Sequence, residues 1–315
     1  MGEGGRQANG ASVTEDLPLD SPVLVMRNQK IECESTELLG RKKDAMCARS
    51  GLIPLGSFNA RWIFRKLISE RLERRGYSIR KVSELTRLAD QFGSDKGTRL
   101  SAHMYTRVYE KFFAAFRHQA ICLLEIGLLR SDIDARRVVC ATEGESNASA
   151  SSAPSLEMWS VYFSNAKLFG FDIDDFSRVS IDRCTIIRGD MSSRSDLANL
   201  VRVIGRPIDI LIDDASHASA HQQIALGALF PHMRRGGLYV IEDLHWQHDS
   251  LEKEGVPKTR DLLRHLQTQG TFASPCLTSE EQNYIRQHTG QVWLFDSLTH
   301  EVDDNSDAIA LLVKK

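Results

Sequence analysis

From residue 119 onward, short apolar runs alternate with stretches of helical periodicity. QAICLLEIG (119–127), KLFGFDID (167–174), CTIIRGD (184–190), IDILIDD (208–214) and GLYVIED (237–243) lack polar/apolar alternation. Runs of that kind predict strands covered on both faces. Between them, SLEMWSVYF (155–163), SRSDLANLVRVIG (193–205) and ASAHQQIALGALF (218–230) read as helices. Strand–helix alternation implies a parallel sheet with right-handed crossovers. The pattern changes at the end, where QVWLFDSL (291–298) and DAIALLVKK (307–315) flank the turn-rich THEVDDNS. Two apolar strands around a polar loop predict an antiparallel hairpin at the sheet edge. The expected class is α/β: a mostly parallel, Rossmann-like sheet with helices on both faces and a C-terminal antiparallel hairpin.

Upstream the pattern weakens. Residues 1–55 mix Gly, Ser, Asn and charge without periodicity and read as disordered or loosely packed. Residues 56–115 read as a helical N-terminal region, and 116–315 as the catalytic domain. Within 61–81, eight basic residues stand against two acidic ones, and Ile63, Phe64, Leu67, Ile68 and Leu72 recur at helical spacing before Gly76. A basic amphipathic helix can meet phosphates or an anionic surface, but a solvated face on a docked helix is the plainer expectation.

Composition narrows the function. Over 315 residues, 40 Lys+Arg against 42 Asp+Glu leave a net charge of −2, which argues against nucleic-acid binding by bulk positive charge. The longest apolar run, ICLLEIGLL (121–129), falls short of the ~18 residues of a membrane span. The N-terminus lacks the basic and apolar regions of a secretory signal. Six cysteines without CxxC spacing read as reduced thiols, and the expected location is cytoplasmic.

Ligands of open parallel sheets bind beyond the carboxyl ends of the strands. Here nearly every such end carries an acid: Glu125, Asp172, Asp190, Asp213 with Asp214, and Glu242 with Asp243. Any one of them could simply cap the following helix. Five acidic ends together favour a functional edge. Asp214 and His217 stand three residues apart after one strand, and Glu242–Asp243 follow the next. Three carboxylates can hold a hard divalent cation and leave an imidazole free as a base.

The stretch from SDKGT (94–98) through HMYTRVYEKFF (103–113), LLEIG, SLEMWSVYF, FGFDIDDFS, RGDMSS, IDDASH and LFPHMRRGGLYVIEDLHW resembles the class I S-adenosylmethionine-dependent methyltransferases. Within that class it is similar to the metal-dependent macrocin- and mycinamicin-type sugar O-methyltransferases, over roughly residues 90–246. A parallel sheet ending in an antiparallel hairpin suits that class better than a plain dinucleotide-binding fold. The resemblance implies that Asp214, Glu242 and Asp243 bind Mg²⁺ and that His217 is the general base. It implies that Glu125 and Gly127 form the first-strand cofactor loop, that Asp172 bonds the ribose hydroxyls and that Asp190 lies near the adenine. Asp213 joins this cofactor set. Asp95, Lys96, His103 and Tyr105 fall in a shared segment placed loosely as a lid, and His245, Trp246 and residues 247–290 as the wall of the substrate pocket.

One departure stands out. Asp172 follows Glu125 by 47 residues, against about 20 in comparable nucleotide-binding units. Polar residues 131–152, including NASASSA, form an insertion in the cofactor loop and are expected to be a mobile flap.

The expected activity is methyl transfer from S-adenosylmethionine to a hydroxyl of a sugar or similar small molecule, assisted by Mg²⁺ and by His217 as base. The partner is that hydroxylated substrate, with no nucleic acid and no stable membrane insertion; a homo-oligomer is left open. Two rivals remain. One is a degenerate ligand- or partner-binding domain, and the other an antibiotic-pathway hydroxylase. Non-haem iron would want two histidines and one carboxylate; only His217, with His221 a helical turn on, stands near the acids in sequence, so magnesium is expected over iron.

Overall fold

A computed structural model describes residues 82–99, 103–128, 152–245, 249–296, 298 and 308–315. The segment 1–55, the basic stretch 61–81, the insertion at 131–151 and Trp246 lie outside the described residues. Two helices come first, α1 (Glu84–Phe92) and α2 (Thr106–Phe113). The Ser83 side chain caps α1 by accepting from Thr86 N at 3.1 Å, and Gly93 ends it at φ 75°. Strand β1 (Cys122–Ile126) is followed by α3 (Pro154–Tyr162), β2 (Lys167–Asp172) and β3 (Cys184–Arg188). Next come α4 (Arg194–Ile204), β4 (Ile208–Asp213), α5 (Ser219–Leu229) and β5 (Met233–Ile241). The chain continues as α6 (Thr259–Gln269), α7 (Ser279–His288), β6 (Thr289–Phe295) and β7 (Ile309–Lys314).

The strands form one seven-stranded sheet in the order β3-β2-β1-β4-β5-β7-β6. β1 to β5 are parallel, whereas β7 pairs antiparallel with both β5 and β6. This is the α/β methyltransferase sheet with its reversed C-terminal strands. The hairpin is not simply appended to the edge: β7 is inserted between β5 and β6, so only β6 lies outermost. β5 also starts earlier than its apolar run suggests, because Met233 pairs with Ile208 before an irregularity between Ile208 and Ile210.

Alternation along the strands builds two cores. Leu124, Ile126, Leu211, Tyr239 and Ile241 face one side, packed with Leu200 of α4, Leu226 of α5, Leu263 of α6 and Ile285 of α7. Leu123, Ile210, Ile212, Leu238 and Val240 face the other, with Leu88 of α1, Tyr109 of α2 and Trp159 of α3. The sheet is therefore covered on both faces, as continuous apolar strands require. Much of 247–290, expected to wall the pocket, instead supplies core: Leu262, Leu263, Leu266 and Ile285 are buried. No described helix is long and apolar enough to cross a membrane.

Candidate functional site

The carboxyl ends of β1, β4 and β5 are neighbours in the sheet, and the acids that follow them meet at one place. The segment before α2 reaches them. Thr106 N donates to Lys96 O at 3.1 Å and Met104 N to Gly97 O at 3.1 Å, pinning residues 96–97 against 104–106. This pairing turns Lys96 inward, and its side chain is buried. Lys96 Nζ bonds Asp214 Oδ2, lies 2.9 Å from Glu242 Oε2 and 3.4 Å from Glu125 Oε1. The remaining contacts of these acids are also specific. Tyr109 OH donates to Glu242 Oε1, and Trp159 Nε1 donates to Glu125 Oε2 at 3.1 Å.

Asp243 is built differently. Tyr105 OH donates to its Oδ1 at 2.5 Å and accepts from its backbone N at 3.2 Å. Three imidazole nitrogens surround the carboxylate: His217 Nε2 at 3.6 Å, His103 Nδ1 at 3.8 Å and His245 Nδ1 at 3.9 Å. His103 stacks on Tyr105, with ring centroids 5.3 Å apart. Met104, His217 and Asp243 all adopt positive φ (58°, 57° and 51°), a conformation uncommon for side-chain-bearing residues. Strained backbone gathered at one spot marks a site whose geometry the surroundings enforce.

Electrostatics divides the acids. Burial pushes Asp214 up to about 6, opposed by the Lys96 ammonium. Burial likewise raises Glu125 to about 7, again opposed by Lys96, and carries Glu242 well above the usual carboxylate range, with the Asp214 charge adding to it. Asp243 goes the other way. Burial would raise it, but His217, His103 and the Tyr105 hydrogen bond overcome that and hold it below the usual value.

Asp214, His217 and Asp243 each offer one ligand atom, all within 4.8 Å of one another. Sequence reasoning put Glu242 in this set and His217 outside it. His217 Nε2 also reaches this point, and both Glu242 oxygens are hydrogen-bonded, to Lys96 and to Tyr109. Two carboxylates and an imidazole are a donor set that fits a divalent cation.

Gly127 shows why the first strand must end in glycine. It sits at φ 86°, and a Cβ there would lie 2.5 Å from Ala215 Cα and closer still to the Asp214 carbonyl oxygen. Beside it is a pocket lined by Ser94, Asp95, Lys96, Gly127, Leu128, Pro154, Ser155 and Asp214. Asp172 closes the β1 and β2 loops, accepting from Leu128 N through Oδ2 and from Asp174 N through Oδ1, each at 2.8 Å. Asp190 Oδ1 accepts from Ser192 N at 2.7 Å at the start of the turn into α4. Asp213 stands apart. Its two oxygens are buried, and burial raises it to about 7, with the Asp214 charge adding and the Ala215 backbone N–H opposing.

The residues that sequence reasoning underweighted are Lys96, Tyr109, Trp159, His103 and His245. A lysine in a Ser/Asp/Gly turn looks solvated, and His103 reaches Asp243 only through the fold of the segment before α2, whereas His245 lies two residues from it in the chain. His221, adjacent to His217 on the helical repeat, instead shares a hydrogen bond with Ser216 at 2.9 Å.

No family model matches the chain. Over 165 residues it is 41% identical to the 8-demethyl-8-alpha-L-rhamnosyl tetracenomycin-C 2'-O-methyltransferase of Streptomyces olivaceus, covering 52% of this chain and 39% of that one. It is 37% identical over 142 residues to the mycinamicin VI 2''-O-methyltransferase of Micromonospora griseorubida, covering 45% of this chain and 32% of that one. The matched stretch thus spans well under half the length of these curated relatives. Among solved structures, the mycinamycin-pathway methyltransferase MycE, in complex with Mg, SAH and mycinamycin VI, superposes with a TM-score of 0.53 at 26% identity. That superposition covers 74% of this chain and 54% of MycE. This chain therefore carries a class I methyltransferase fold and is similar, across about half its length, to the mycinamicin- and tetracenomycin-type sugar O-methyltransferases.

Proposed function

We propose that the protein is an S-adenosylmethionine-dependent O-methyltransferase acting on a hydroxyl of a sugar-bearing small molecule. The observation that carries this reading is the convergence of Asp214, His217 and Asp243 within 4.8 Å, next to the pocket at Gly127. MycE, with Mg and SAH bound, supports the same cofactor and metal here.

Asp214 and Asp243 would hold the cation through hard oxygens, with Glu242 behind them on Lys96. Bound Mg²⁺ lowers the pKa of an oxygen ligand, and S-adenosylmethionine supplies a methyl group on a good leaving group. The chain's own residues then have three tasks. Tyr105 and the imidazoles of His103 and His245 keep Asp243 ionised and oriented. Gly127, Leu128 and Asp172 fix the loop at the end of β1, where Asp172 would accept from the ribose hydroxyls of a bound cofactor and Asp190 would lie near its adenine. With Asp214 and Asp243 holding the cation, the His217 imidazole would stay available to take the proton of the accepting hydroxyl.

The test is a pair of measurements on His217→Ala. Binding of S-adenosylhomocysteine by calorimetry should match wild type, while turnover on an accepted glycoside should fall by roughly 10²–10⁴-fold, the contribution of a positioned base. Wild-type protein that binds no cofactor at millimolar concentration, or a variant that turns over at the wild-type rate, would refute the reading.

A further inference from the structure

Lys96 is unusual among the residues of this site because it brings a fixed positive charge to the place proposed for a cation. Its ammonium has three hydrogens and meets three carboxylates, Asp214, Glu242 and Glu125. These acids leave three adjacent strands, β4, β5 and β1, so one side chain ties the three strand ends together. Lys96 is 1% exposed, and the backbone bonds at Gly97 and Thr106 hold its segment in place. A buried ammonium is tolerated only where such partners compensate it. Two of those partners, Asp214 and Glu242, belong to the acidic set at the ends of β4 and β5.

We propose that Lys96 is a resident counter-ion of the metal site. It shares Asp214 with the divalent cation, anchors Glu242 behind it, sets the cation's affinity by opposing it, and holds the strand ends together whenever the cation has left. The inference rests on the metal reading given above. Its physics is charge counting: affinity for a hard divalent ion rises with the net negative charge of its surroundings. A positive charge bonded to a shared carboxylate works against that ion over a few ångströms of low-dielectric interior. Lys96 also lines the pocket at Gly127, so the counter-ion borders the proposed cofactor cavity as well.

The experiment compares wild type with Lys96→Met and Lys96→Gln, the latter keeping an N–H donor for Glu242. Free Mn²⁺ is followed by electron paramagnetic resonance during titration, and melting is measured in EDTA and in excess MgCl₂. Both variants should bind Mn²⁺ at least ~10-fold more tightly than wild type, because a charge opposing the ion is gone. Both should melt lower in EDTA and gain more on adding Mg²⁺ than wild type does. A variant unfolded in EDTA but folded in Mg²⁺ is the strong form of the same result. Equal or weaker Mn²⁺ binding by a folded variant overturns the inference alone, as does a failure of both variants to fold even in saturating Mg²⁺. Wild type that binds neither Mn²⁺ nor Mg²⁺ overturns the metal reading together with this one.

Discussion

Replacing Gly127 by alanine tests whether the β1 loop and the β4 loop are built against each other. Two costs follow from the geometry. Gly127 sits at φ 86°, in the left-handed half of the map, where a side-chain-bearing residue is disfavoured by about 1–2 kcal/mol. The added methyl would also lie 2.5 Å from Ala215 Cα, so the backbone carrying Asp214 must retreat. Overpacking of close-packed interiors costs about 1–3 kcal/mol. Together Gly127→Ala should destabilise by about 2–5 kcal/mol, or ~5–15 °C in Tm for a domain of this size. Gly236→Ala is the matched control. Its φ is 80°, but nothing lies within 4 Å of the new carbon, so only the backbone cost of about 1–2 kcal/mol applies. Urea unfolding of both variants separates the two contributions, and titration with S-adenosylhomocysteine reads the site. Gly127→Ala should lose most of its affinity, while Gly236→Ala keeps it. If Gly127→Ala unfolds no more easily than Gly236→Ala and binds as wild type does, the two loops are not mutually packed and the reasoning fails.

Two further outcomes concern the rest of the sheet. Lys314→Met should cost about 2–4 kcal/mol in chemical denaturation and leave cofactor affinity unchanged, since its buried ammonium donates to Phe230 O (2.9 Å), Pro231 O (3.2 Å) and Tyr284 OH (2.7 Å) at the opposite end of β7 from the site; unchanged stability would show that these bonds are replaced by water. Burial pushes the Cys122 thiol up to about 12, so at pH 8 only ~10⁻⁴ of it is thiolate, and peptide mapping after iodoacetamide treatment should find Cys122 modified only in denaturant; modification of the folded protein at the rate of a free thiol would contradict that burial.

The central parallel strands were legible because they are covered on both faces, which writes apolar runs such as ILI (210–212) or LYVI (238–241) into the chain. Their terminal acids were legible for a related reason, since a carboxylate directly after such a run stands out. The partners of those acids were not. Lys96 lies 146 residues from Glu242, and Tyr109 lies 133 residues from the same acid. Neither pairing has a local signature, because sheet order and the fold of the segment before α2 create both. The helices α6 and α7 were hidden in the same way. Their buried apolar positions are few, Leu262, Leu263 and Leu266 on one and Ile285 on the other, so the stretch carries little helical signal and reads as the wall of a substrate pocket. Glu242 and Asp243 are adjacent in the chain, yet their side chains have different neighbours. Successive residues at a strand end point in opposite directions, and here the first turns to Lys96 while the second turns to the histidines.

The insertion of β7 between β5 and β6 has a consequence for the order of events during synthesis. β5 carries Glu242 and Asp243 at its end, yet one of its two neighbours is made about 70 residues later. The same late residues reach the site itself: Leu244 N donates to Ala308 O at 2.9 Å, and Ala308 N donates to His245 Nδ1 at 3.2 Å. A ribosome-bound chain that has released everything through β6 therefore still exposes the edge of β5 and lacks the anchor for the His245 loop. Strand pairing at such long sequence separation is slow, because loop-closure entropy is lost before the contact forms. The histidine face of the site is thus assembled among the last steps, and a nascent chain short of residue 308 has a sheet but no completed centre.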